Sequence, residues 1–102
     1  MGKWADYCIV GVRFAPDRKR IETVRMLPDT GSLLITGLIV PRRHIVAGLH
    51  RGMTFATALP NLDQMSYTRV QHVGLVNVDG TEYLRIDPAP IAADDLGDLP
   101  EF

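Results

Sequence analysis

The stretch SYTRVQHVGLVNVDGTEYLRID, residues 66 to 87, constrains this chain more than any other. Asp79-Gly80 stands there between two runs rich in β-branched and aromatic residues, and an Asp-Gly pair in that setting signals a two-residue type I′ turn. Counting outward pairs Val78 with Thr81, Val76 with Tyr83, Leu75 with Leu84 and Val73 with Ile86. Apolar side chains then fall on both faces of the hairpin, which predicts a central place in a sheet with cover on either side.

The other elements follow from period and punctuation. WADYCIVGVRF predicts a first strand, with Cys8, Val10, Val12 and Phe14 on one face and Tyr7 and Ile9 on the other. APDRKR supplies a charged turn before IETVRML, a second and antiparallel strand. Pro28 and Gly31 break the chain in PDTG. SLLITGLIV, residues 32 to 40, fits either a short strand or an apolar loop leading into a helix. PRRHIVAGLHRG reads as that helix, with Pro41 in its first turn and Gly52 just past its end. At 100° per residue Ile45, Val46 and Leu49 cluster on one side, joined at the edge by Gly48 and the stem of Arg42, while Arg43, His44, His50 and Arg51 lie on the other. MTFAT is a short strand and ALPNLDQM a loop. The sequence thus predicts an α+β fold, β-β-α-β-β-β, with a twisted or barrel-like antiparallel sheet, one covering helix and an extended C-terminal tail.

The chain has 102 residues, 46% of them hydrophobic and 23% charged, which fits one domain with a core of its own. Its single cysteine, Cys8, allows no intrachain disulfide, and with no signal peptide in view the expected setting is the cytoplasm. The longest nearly apolar run, Leu33 to Val40, is broken by Thr36 and Gly37 and falls short of the roughly 20 residues that span a bilayer, so no membrane partner is expected. Gly2 suits myristoylation, but Asp6 stands where that motif wants Ser or Thr. Charge is segregated. Five of the 12 acidic residues lie in 87 to 102, where no Lys or Arg occurs, whereas all 11 Lys and Arg lie in 1 to 86. The expected division is an α+β domain over 1–86 and an acidic tail over 87–102 that packs on it.

Four stretches, ADYCI at 5 to 9, GMTFAT at 52 to 57, YLRIDP at 83 to 88 and DDLGDLPEF at 94 to 102, together resemble the small bacterial proteins grouped as domain of unknown function 3892. The family pattern more usually has Thr in place of Ile86 and Asn in place of Asp95. The resemblance implies a fold and a docked ending, and it brings no established catalytic residues. In that ending Leu96, Leu99 and Phe102 recur every three residues, spaced by Gly97 and Pro100. This spacing predicts an extended strap that inserts apolar groups into its own domain, with docking on a partner as the alternative.

Catalytic chemistry finds little support. Cys8 could pair with His44, His50 or His72 as nucleophile and base, but a Cys inside an apolar strand reads as a small buried hydrophobe. His44 and His50 stand about 120° apart around a helix, which does not stack them as metal ligands. Asp29, Asp63, Asp79 and Asp87 sit beside turn residues, and GLHRGMT lacks the spacing of a phosphate loop. The expectation is a protein that is not an enzyme, with neither cofactor nor metal. Arg43, His50 and Arg51 on the helix, with Arg18, Lys19 and Arg20 at the first hairpin tip, form the candidate partner-binding surface. The preferred reading is a small binding or accessory module for a protein partner, and its size admits a stoichiometric inhibitor encoded by a phage or mobile element. The alternative is single-stranded nucleic-acid or RNA binding, with Tyr7, Tyr67 and Tyr83 as stacking groups.

Overall fold

A computed structural model describes residues 5–28, 37–60 and 67–102. Strand β1 (Tyr7–Phe14) turns back through residues 15 to 20 into β2 (Ile21–Pro28), and the two pair antiparallel as the sequence predicts. β3 (Leu38–Pro41) adds to the far side of β2. The final part of SLLITGLIV is thus a strand, while residues 32 to 36 and Asp29, Gly31 and Asp63 lie outside the described residues. Helix α1 (Arg42–His50) begins directly where β3 ends, because the extended Pro41 fixes a φ of −72° and has no N–H to continue the ladder. It ends at His50, with Arg51 as its C-cap and Gly52 following at positive φ. β4 (Phe55–Pro60) returns beside β1, and β5 (Tyr67–His72) pairs antiparallel with β4. β6 (Gly74–Val78) and β7 (Thr81–Arg85) complete the order.

The result is an α+β domain with, among the described residues, one helix and seven strands in two sheets. Of the expected twisted or barrel-like antiparallel sheet, the barrel-like form and the uniform strand sense are not found. The larger sheet runs β3-β2-β1-β4-β5 and stays open, and β1 and β4 are parallel from Tyr7–Phe55 to Ile9–Thr57. The interposed helix explains this: a crossover of that length lets β4 re-enter in the direction of β1, which a tight hairpin cannot do. A radius of gyration of 13.0 Å matches about 100 residues packed as one compact unit.

The Asp79-Gly80 turn forms as predicted, both residues having positive φ (52° and 84°), and the ladder holds Val78–Thr81, Val76–Tyr83 and Leu75–Leu84. It stops at Gly74–Arg85. Val73 instead donates its N–H to Phe55 O, and Ile86 donates to Asp95 O. The hairpin is therefore not central but forms its own two-stranded sheet, because the chain turns a corner at Val73 and leaves β5 behind on the larger sheet. Cover over its two half-buried faces comes from the core on one side and from side chains such as Arg20, which lies over Tyr83, on the other.

One face assignment also changes. Val10 is an extra residue between the pairs Ile9–Met26 and Gly11–Arg25, so β1 carries a bulge and its alternation flips. Cys8 and Val10 join Ala5, Leu27, Ala56 and Ala58 on one face. Tyr7, Ile9, Val12 and Phe14 join the main core around Ile21, Val24, Ile45, Phe55 and Leu84 on the other. Beyond the bulge β1 parts from β4, and the tail takes the free edge. Val12 N–H donates to Pro100 O (2.9 Å) and Phe102 N–H to Val12 O (3.0 Å), with Glu101 bridged parallel to Val12.

Candidate interaction surface

The chemistry of the surface is set by which cations the fold consumes internally. Arg42 lies within the apolar arc of α1, between Leu49 and Val46 at 100° per residue, and its guanidinium reaches the tail. It donates to Asp94 through Nε (2.7 Å to Oδ2) and a terminal nitrogen (3.0 Å to Oδ1), and donates again to Glu82 O. The Asp94 side chain is wholly buried and also accepts from the backbone N–H of Ile21 and of Leu84, both at 2.8 Å. One carboxylate thus ties together β2, β7, the start of α1 and the tail. The backbone N–H of Asp94 donates to Lys19 O, which pins the first hairpin tip to the same point.

Arg85, 4% exposed, repeats the device a few residues away. It donates to both Asp87 oxygens and to Ala93 O, and lies 3.6 Å from Asp95 Oδ2. The hydrogen bond from Arg85 is the main cause holding the Asp87 carboxyl below its ordinary value, and the same bond, more than the surrounding acidic charge, raises Arg85 against the opposing effect of burial. Neither clasp was legible in the sequence: the Arg42 stem could be placed by helical angle, but nothing in the local pattern distinguishes Asp94 from Asp95.

The candidate residues fall into separate places. At the hairpin tip Arg18 pairs with Glu101 at 2.8 Å and lies over the Phe14 ring, and the hydrogen bond to Glu101 raises its pKa. Arg20 lies over Tyr83, and Lys19 is exposed. Leu96 and Leu99 are buried in the main core, and half-buried Phe102 lies between Arg13 and Arg25 at 5.1 and 5.9 Å from its ring centre. On α1, His50 Nε2 meets Glu82 Oε1 at 2.8 Å. Apart from the single cation Lys19, what remains is the outer face of the helix. Arg43, His44 and Arg51 are exposed, and their side chains form no hydrogen bond, ion pair or ring contact among the described residues. With Ala47 and His50 they make a stripe about 120° wide at 100° per residue.

The tyrosines do not form a stacking platform. Tyr7 stacks on buried Phe55 at 5.8 Å, Tyr67 packs against the second core cluster, and Tyr83 sits beneath Arg20. An open groove of about 530 Å³ is lined by Val73, Leu75, Ile86, His72, Arg85 and Asp87, but the Arg85 donors that face it are already taken by protein oxygens. Cys8 is fully buried among apolar side chains. Among the described residues no three of His, Cys, Asp and Glu are grouped as for a metal ion, and no helix is long and apolar enough to cross a membrane.

Comparison of the chain with protein-family models, with curated proteins and with solved structures returns no match. The likeness to domain of unknown function 3892 rests on the four stretches quoted for it.

Proposed function

We propose that this domain is a non-catalytic binding module that takes an acidic protein surface on the outer face of α1. The observation that carries this reading is the uneven fate of the cations. Asp94, Asp87, Glu101 and Glu82 engage Arg42, Arg85, Arg18 and His50, while Arg43 and Arg51 stay unpaired on one helix face. A helix clamped at its first residue by a buried carboxylate presents that face in a fixed orientation, which lowers the cost of ordering an interface. The lone, buried thiol of Cys8 suits a reducing, cytoplasmic setting.

Capture from native lysate with the purified full-length protein and with its Arg43→Glu/Arg51→Glu variant tests the proposal. The expected result is a protein retained by the first and lost by the second, at unchanged thermal stability. Retention of RNA or single-stranded DNA instead, with an electrophoretic shift that weakens steeply from low to moderate salt, would replace it with the nucleic-acid reading.

A further inference from the structure

We infer that the outer edge of β3 receives an extended segment of the partner, apolar along its length and acidic at the end that lies beside Arg43 and His44. This rests on the protein-binding reading and adds to it a site and a partner chemistry. β3 is the last strand of the larger sheet, so no described strand lies on its outer side. Leu38 and Ile39 on it are 57% and 58% exposed, the most exposed large apolar side chains among the described residues. Edge strands are ordinarily guarded by charge, and Leu38–Pro41 carries none; among the described residues its guards are its shortness and Pro41.

Strand alternation sets Leu38 on the side of Val40, which packs on the main core, and Ile39 on the opposite side. An added strand therefore gains apolar contact on both faces of the sheet while pairing its backbone with β3. Because β3 passes into α1 without a linker, such a strand ends beside the first turn of the helix, which contains no acidic residue and exposes Arg43 and His44. A carboxylate there meets two basic side chains and the positive end of the helix. The same charges disfavour a second copy of this chain. Two β3 edges paired antiparallel about a two-fold would set both helices on one face of a continuous sheet, with their unpaired arginines facing the same side.

Calorimetric titration of the full-length protein with three synthetic peptides of about ten residues tests this: alternating Val and Thr ending in Asp-Glu, the same run ending in Lys-Lys, and an Asp/Glu/Ser peptide without apolar residues. The expected outcome is binding of the first at least about tenfold tighter than of the other two, slowed amide exchange at residues 38 to 40, and a loss of about tenfold in Leu38→Lys and Ile39→Lys variants of unchanged melting temperature. Equal binding of the apolar-acidic and wholly acidic peptides, sensitive to Arg43→Glu but not to Ile39→Lys, would leave the helix reading standing and overturn the strand site. Absence of binding by any peptide overturns both. A concentration-dependent dimer abolished by Ile39→Lys would assign the edge to a second copy and overturn the inference.

Discussion

Asp94 accepts four hydrogen bonds, two from Arg42 and two from backbone N–H groups, with no exposed side-chain surface. Removing it strips a largely buried guanidinium of its carboxylate, leaving it only the bond to Glu82 O, and leaves two N–H groups unpaired, so Asp94→Ala should cost about 3–5 kcal/mol. In a domain of this size each kcal/mol shifts Tm by roughly 4–8 °C, and thermal unfolding of the variant reads the loss directly. Asp87 makes the pH prediction. Its carboxyl is held below the ordinary range mainly by the Arg85 hydrogen bond, so its contribution is present at neutral pH and disappears as pH falls through the lowered folded value. Asp87→Asn should accordingly flatten part of the acid limb of a stability-against-pH curve and leave the alkaline limb unchanged. In the sequence Asp87 was visible as a turn residue and Asp94 only as part of a charge bias. Which of the neighbours Asp94 and Asp95 turns inward depends on Arg42, Ile21 and Leu84, and no local pattern carries contacts of that range.

At the scale of elements, local rules succeeded where the determinant was local. The type I′ turn, the inner ladder of its hairpin and the helix between Pro41 and Gly52 all follow from signals within about a dozen consecutive residues. They failed where a single residue redirects the chain: the extra Val10 reverses the faces of β1 beyond it, and Val73 hands its N–H to Phe55 and so parts β6 from β5. The contact of α1 with β4 is equally close. A Cβ on Gly48 would come within 2.9 Å of the buried Phe55 ring, so Gly48→Ala should destabilise by about 1–3 kcal/mol, despite the better helix propensity of Ala. Denaturant unfolding, with a lowered midpoint and an unchanged slope, is the expected signature. Leu96 is 3% exposed in the main core, and Leu96→Ala should cost about 2–5 kcal/mol. Phe102 is only half buried, so its truncation should cost less.

Across the whole molecule the tail is what turns an open sheet into a finished domain. Residues 94 to 102 cross from the Asp94 clasp, over the core at Leu96 and Leu99, to the freed edge of β1, and on the way they neutralise Arg42 and Arg18. The segregation of acids in the tail from bases in the body was plain in the sequence, but which bases would remain unpaired depended on the fold. The hairpin tip and the helix looked equivalent as basic clusters. Only the helix keeps both of its outer arginines free of ion pairs among the described residues. Amide chemical-shift mapping of the full-length protein on titration with a short glutamate-rich peptide tests whether that helix face is the binding surface. Perturbations concentrated at Arg43, His44, Ala47 and Arg51, and lost in the Arg43→Glu/Arg51→Glu variant, are the predicted result; perturbations centred on Arg18, Lys19 and Arg20, with α1 unmoved, would contradict it.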